Sequence, residues 1–235
     1  MRIAITGTNG IGKSSLIKDM LRSWKVYSLA KDTFRNDTDE RYVTDMTEDN
    51  QQTILDGMVT ELKRHGKSDN VLFDRCPVDN LVYTLHSYAK ENGDISEEFV
   101  LESATKLKKA LKMIDLIIFI PITAADKINI EDNLIDKGEL DVTYAKEIDH
   151  IFKSLYREWE KKDSPYVEYD DKPHVLEIFG TPVERIELLK MYIDSTGDSY
   201  GESSIIHPDE VNALEKMNAL LTQQSEIAEE TRLDI

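Results

Sequence analysis

Cysteine is nearly absent: Cys76 is the one in the chain. That excludes an internal disulfide framework and any zinc site built on cysteine pairs, and it fits a reducing compartment. As a lone thiol, Cys76 reads as a small packing residue rather than a nucleophile. Long apolar runs are missing as well, since the best one, Leu116 to Ile122, has about seven residues against the roughly 20 that a membrane span needs. The N-terminus lacks the longer apolar core and small-residue cleavage site of a secretory leader. These absences lead us to expect a soluble, cytoplasmic protein. Basic residues are in deficit, with 29 Lys and Arg against 46 Asp and Glu and a net charge of −17. Such a surface repels polyanions unless its bases are gathered locally, so general nucleic-acid binding is disfavoured. The histidines, His65, His86, His150, His174 and His207, show no paired metal-ligand spacing, which speaks against zinc.

What remains is ordinary for a globular protein: 235 residues, 40% hydrophobic and 32% charged, enough for one well-buried core and an appendage. Arg2 to Thr6 is a short β-rich run, and Leu16, Ile17, Met20 and Leu21 follow at helical spacing. Val26 to Leu29 predicts a second strand, Ile54, Met58, Val59 and Leu62 a helix, and Asn70 to Phe73 a third strand ending at Asp74. Helical patterns run through Leu81, Leu85 and Tyr88, and again from Phe99 to Leu111. Leu116 to Ile120 is a continuous β-branched run of the kind buried on both faces of a parallel sheet. A helix over about 142–161, a strand at His174 to Ile178 and a helix from Pro182 to Ile193 complete the pattern.

Strands alternating with helices make βαβ units, so the expected fold is α/β, a three-layer domain with a five-stranded parallel sheet and helices on both faces. The clearest change of composition, the Ser- and Gly-rich stretch from Ser195, predicts a linker over 195–207 after a domain of residues 1–194. Beyond it, 208–235 is expected to hold a C-terminal helix, with Val211, Leu214, Met217, Leu220 and Leu221 on one apolar stripe. That stripe would dock on its own domain or on a partner chain, a homodimer being one form.

Gly7-Thr8-Asn9-Gly10-Ile11-Gly12-Lys13-Ser14 matches G-x-x-x-x-G-K-[ST] in full, between the first strand and the first helix, the context that a phosphate-binding loop requires. Its backbone N–H groups would surround nucleotide phosphates, Lys13 would bridge β and γ oxygens, and the Ser14 hydroxyl would ligate Mg²⁺. A second constellation has to say what is done with the nucleotide, because many functions share such a loop. Asp74-Arg75 ends the third strand, at the edge where open α/β sheets build ligand crevices. There the Asp74 carboxylate would accept the proton of an acceptor hydroxyl or help hold the metal, and Arg75 would clamp a phosphate or neutralise transferring charge. Between the second strand and the next helix, Asp32, Arg35 and Arg41 would face an acceptor pocket with Arg75. Tyr83 and Tyr88 read as core residues of their helix ahead of base-stacking platforms.

With these residues in view the sequence resembles the P-loop nucleoside and nucleotide kinase group. That group includes the small AAA-type kinases of the nicotinamide-riboside-kinase kind and, more distantly, thymidylate and deoxynucleoside kinases. The resemblance spans about residues 1–194 and rests on Gly7 to Ser15, Phe73 to Asp79 with the helix through Tyr83, Ile117 to Pro121, and Gly180-Thr181-Pro182-Val183-Glu184-Arg185. It implies a P-loop NTPase fold, ATP with Mg²⁺ as phosphoryl donor, phosphates held by Gly7 to Ser15, and a loop carrying Thr181 and Pro182 beside the adenine. It also implies a lid over about 122–144. Such lids usually carry arginines, but Thr123 to Tyr144 offers only Lys127 and Lys137, so Arg157 on the following helix is an alternative source of charge. The expected activity is therefore a Mg·ATP-dependent transfer to a nucleoside monophosphate or nucleoside. The alternatives are a kinase of a polynucleotide end or of a modified-base hydroxyl in DNA, and a nucleotide-dependent switch or assembly ATPase.

Overall fold

In a computed structural model of the chain, residues 1–31, 46–90, 94–123 and 142–200 are described below. Five strands, β1 (Arg2–Thr6), β2 (Ser28–Leu29), β3 (Val71–Asp74), β4 (Leu116–Phe119) and β5 (His174–Glu177), form one parallel sheet in the order β2-β3-β1-β4-β5. The helices are α1 (Lys13–Ser23), α2 (Glu48–Arg64), α3 (Pro77–Ala89), α4 (Glu97–Ala110), α5 (Val142–Glu158) and α6 (Pro182–Lys190). This is the three-layer α/β fold expected from the alternating pattern, and the P-loop fold that the resemblance implies. One compact unit covers Met1–Gly197, and of a second, Asp198–Ile235, only residues 198–200 are described. The C-terminal helix expected at 208–235, the acceptor residues Asp32, Arg35 and Arg41, and positions 124–141 of the lid segment lie outside the described residues.

Period-two alternation divides the sheet's side chains between two cores. Ala4, Phe73, Ile117 and Phe119 face one side, where they meet Met58 and Leu62 of α2, Leu81 and Val82 of α3, Leu107 of α4 and Phe152 of α5. Ile3, Ile5, Leu72, Leu116 and Ile118 face the other, against Leu16, Ile17 and Met20 of α1 and Leu189 of α6. Because β1 is central, all five of its residues are buried, and its two polar side chains are paired, Arg2 with Asp115 and the Thr6 hydroxyl with the Tyr156 hydroxyl at 2.9 Å. At the sheet's N-terminal rim, Arg2 is pinned to Asp115 by backbone N–H and guanidinium bonds of 2.7 Å each, which sets the register of β1 against β4.

Helix starts follow local chemistry. Ser96 accepts from the Phe99 N–H at 3.2 Å to cap α4, Pro77 opens α3, and Thr181 and Glu184 cap α6 reciprocally. α1 is different, because its N-cap is Gly12 and no side chain caps it. The expected second strand is shorter than Val26 to Leu29. The Tyr27 N–H is used by a turn to the Trp24 carbonyl, so pairing with β3 begins only when the Ser28 N–H reaches the Asn70 carbonyl. α5 ends at Glu158 and α6 at Lys190, each three residues before the expected end, because Glu160, Lys161, Met191 and Tyr192 donate to carbonyls three residues back, in tighter turns than the α-helix.

The aromatic cluster under the sheet yields a stability test. Phe119 is fully buried, with ring centroids 5.4 Å from Phe152 and 5.1 Å from Tyr156. Phe119→Ala is expected to cost about 3–5 kcal/mol of unfolding free energy, measured as a lower urea midpoint at unchanged m-value. A change under 1 kcal/mol would show that the aromatic cluster is not the packing centre of that face.

Candidate active site

The strand order reverses at β1, whose neighbours β3 and β4 carry the chain to opposite edges of the sheet, and crevices in open α/β sheets form at such switch points. Here the chain leaves β1 into the loop Gly7 to Ser14. Gly7, Gly10 and Gly12 have φ of 139°, 75° and 95°, values that L-residues with side chains rarely adopt. Gly7 has a second constraint, since a Cβ there would stand 2.7 Å from the Ile120 carbonyl oxygen. Lys13 is buried, and its ammonium donates to the carbonyls of Gly7 and Thr8 at 2.8 and 2.7 Å, tying the end of the loop to its beginning. Ser14 and Ser15 follow on the exposed side of α1. The uncapped first turn leaves orphan N–H groups and the positive end of the helix dipole facing the loop, the arrangement that accepts an anion.

Beside this loop, β3 delivers Asp74 opposite Ile5 and then Arg75. Among the described residues, Arg75 is the one non-glycine with positive φ, at 79°. Such a conformation costs about 1–3 kcal/mol and persists where surrounding contacts over-determine it. Those contacts are present. The Arg75 N–H donates to the Ile5 carbonyl at 3.0 Å, and its guanidinium donates to the Asn9 side-chain oxygen and to the Tyr83 hydroxyl. It also lies 5.6 Å from the Tyr83 ring centre and 3.7 Å from the Asp79 carboxylate. The Tyr83 hydroxyl in turn donates to Asn9 at 3.3 Å. Ile5 and Asn9 are thus joined to Arg75, Asp79 and Tyr83 about 70 residues on, which locks the phosphate loop to the end of β3.

Asp79 is fully buried and accepts from the Cys76 N–H at 2.9 Å. Burial pushes its carboxyl up to about 6, against the pull of Arg75 and Lys13 toward the ionised form. Cys76, directly beneath, is buried with its thiol pushed up by desolvation, so it packs and does not react, as expected of a lone thiol. Tyr83 is buried and Tyr88 exposed. The core assignment therefore holds for Tyr83 as to burial, although its hydroxyl belongs to the Arg75 network, and it fails for Tyr88, which lies beyond the last buried turn of α3. Tyr144, in the first turn of α5, stands 6.4 Å from the Tyr83 ring and 4.8 Å from His86. His86 meets Glu147 at 2.8 Å, so the start of α5 is fastened to α3.

A cavity of about 100 Å³ opens at the C-terminal ends of β2 and β3, lined by Lys31, Met58, Glu61, Phe73, Asp74 and Arg75 among others. Arg75 therefore touches both the phosphate loop and this cavity. Glu61, though buried, already accepts from the Lys31 N–H, from Arg64 and from His65. On the other flank Thr181 caps α6 through its hydroxyl, and Arg185, one turn on, donates to the Ile11 carbonyl at 2.9 Å. Arg157 is exposed on the last turn of α5, and among the described residues no hydrogen bond or ion pair joins it to the phosphate loop. Sequence reasoning missed Asp79, Tyr83 and Arg185 as parts of this site. The position of Asp79 three residues after Cys76, the capping place at the start of α3, was an available signal, whereas nothing local marks a contact between residues 185 and 11.

A parallel sheet with a glycine-rich phosphate loop on its central strand and an Asp-Arg pair on the adjacent one defines a P-loop nucleotide-binding protein of α/β class. A family model described as an AAA domain matches residues 2–168, and the chain belongs to that family. Among curated proteins none matches in sequence. Solved structures similar in fold include a deoxyadenosine kinase from M. mycoides with the products dCMP and a flexible dCDP bound, at TM-score 0.59 and 16% identity, covering 80% of this chain and 96% of that one. The NadR protein in complex with NR gives TM-score 0.55 at 16% identity over 86% of this chain, which spans about half (53%) of NadR.

The buried carboxyl of Asp79 makes a pH prediction. An unfolded Asp ionises near 3.9, so between about pH 4 and 6 the folded protein keeps a proton that the unfolded chain has lost, and stability falls as pH rises through that window. Asp79→Asn, whose side-chain oxygen can still accept from Cys76, should flatten this slope and raise stability at pH 7.5 by roughly 1–3 kcal/mol. Denaturant titrations at pH 4.5 and 7.5 give the answer, and parallel pH profiles for the two proteins would contradict the assignment.

Proposed function

We propose that this protein is a Mg·ATP-dependent kinase that phosphorylates a nucleoside or nucleoside monophosphate. The observation that carries the reading is the placement of Asp74-Arg75 between the phosphate loop and the β2–β3 cavity. A switch needs a metal-holding acid and a water, but it has no use for an acid-base pair that touches both a donor loop and a second cavity. The fold neighbours support the same reading, because one holds a nucleoside monophosphate and a diphosphate and the other is described with NR.

In this mechanism the amides of Gly7 to Ser15 and the Lys13 ammonium bind the donor phosphates, and the loop carrying Thr181 and Pro182 flanks the adenine. Ser14 and Asp74 offer Mg²⁺ a hydroxyl and a carboxylate. This hard-oxygen set suits an ion that keeps several waters and binds substrate phosphates rather than a closed protein cage. Magnesium would supply charge neutralisation on the phosphate oxygens. The acceptor would enter from the β2–β3 cavity, where Asp74 takes the proton of an attacking hydroxyl and Arg75 offsets charge on the transferring group. Asp32, Arg35 and Arg41 are proposed to complete the acceptor side.

A screen of nucleosides, nucleoside monophosphates and short oligonucleotides with γ-labelled ATP tests the reading, and ADP release without a labelled acceptor would refute it. Lys13→Ala is expected to lower turnover at least about 10²-fold with the fold intact. For a hydroxyl acceptor, Asp74→Asn should lower kcat by about 10²–10⁴ with little change in acceptor KM. For a monophosphate, Arg75→Lys should raise acceptor KM and lower kcat, because a lysine lacks the planar fork.

A further inference from the structure

Arg185 is buried on α6, a helix of the donor flank, yet its guanidinium crosses to the phosphate loop and donates to the Ile11 carbonyl at 2.9 Å. The same nitrogen would lie 3.0 Å from a Cβ placed on Gly12, so the guanidinium rests against the α-carbon that caps α1. A peptide unit is planar and trans, with its C=O and N–H pointing in opposite directions. A bond that pulls the Ile11 carbonyl outward, toward α6, therefore turns the Gly12 N–H the other way, toward the concave side of the loop. A phosphate-binding loop needs that orientation and cannot hold it unaided, since each outward carbonyl is a buried acceptor that requires a donor. Lys13 ties down the carbonyls of Gly7 and Thr8 at the loop's beginning, and Arg185 holds that of Ile11 at its end.

The arm that carries Arg185 is itself built to be stiff. Gly180 turns with φ of 90°, and a Cβ there would come within 2.6 Å of the Glu184 carboxylate. That carboxylate accepts from the Thr181 N–H at 2.7 Å while the Thr181 hydroxyl accepts from the Glu184 N–H. Leu189 seats the rest of α6 in the core shared with Ile11, Leu16 and Ile17. We infer that Arg185 is a positioning residue that aims the Gly12 amide of the phosphate loop at the donor phosphates and couples that loop to the turn at Gly180 to Pro182. This inference rests on the reading of the loop as the donor site.

The test uses calorimetric titration of the full chain with ATP and with inorganic tripolyphosphate, which has phosphates but no base. Arg185→Met should weaken both about ten- to hundredfold, the range of a lost hydrogen bond to a charged group. Arg185→Lys, with a single donor nitrogen in place of a planar fork, should fall between, and acceptor KM should not move. A merely structural role would lower the melting temperature and leave the dissociation constants of the folded protein alone. A folded Arg185→Met that binds tripolyphosphate within twofold of the unaltered chain therefore overturns the inference. Should Arg185→Met not fold, Arg185→Lys decides: a loss of at least about threefold is expected, and unaltered affinity overturns it. Lys13→Ala run in parallel separates the two readings. If it leaves tripolyphosphate binding unchanged, the donor-site reading itself fails; if it abolishes binding while Arg185→Met is neutral, only the role of Arg185 is lost.

Discussion

Everything at the C-terminal edge of this sheet depends on holding the loop Gly7 to Ser14 in a shape that an ordinary chain avoids. Its backbone carbonyls must also be satisfied in a buried setting. Glycines at 7, 10 and 12 remove the steric barrier to the necessary φ values. Cations then hold the carbonyls: Lys13 from within the loop and Arg185 from across the domain. The central position of β1 matters for the same reason, because burial on both faces and pairing on both edges leave its last residue, Thr6, fixed as the loop's anchor.

The second element, Arg75, shows the opposite strategy. Here a residue with a full side chain sits in a left-handed conformation and is kept there by contacts to Ile5, Asn9, Tyr83 and Asp79. Strain at one position is offset by a ring of hydrogen bonds drawn from the phosphate loop, β1 and α3. Asp79 contributes at a cost, because its burial opposes the ionised form that attracts Arg75. Its place is set by Arg75, whose guanidinium it helps hold between the phosphate loop and the β2–β3 cavity.

Among the described residues, α1 and α6 pack on one face of the sheet and α2, α3, α4 and most of α5 on the other. The larger group carries the walls of the β2–β3 cavity and the fastening of α5 to α3 through His86 and Glu147.

The linear sequence determined whatever is set by periodicity or by backbone stereochemistry. Alternating runs of period two and 3.6 made the βαβ order legible, and G-x-x-x-x-G-K-S between a strand and a helix marked the loop, since few other residues tolerate its φ values. Asp74-Arg75 was visible for the same reason, as a polar pair ending a buried strand. Strand boundaries at Tyr27 were not, because a turn hydrogen bond to Trp24 competes there with the sheet. Only tertiary structure decided the partners: that Asn9 meets Arg75, that Asp79 lies unexposed between Arg75 and Cys76, and that Arg185 reaches Ile11 across 174 residues of chain. Those contacts arise from sheet order and helix packing, which bring together residues whose chemistry carries no local mark of its destination.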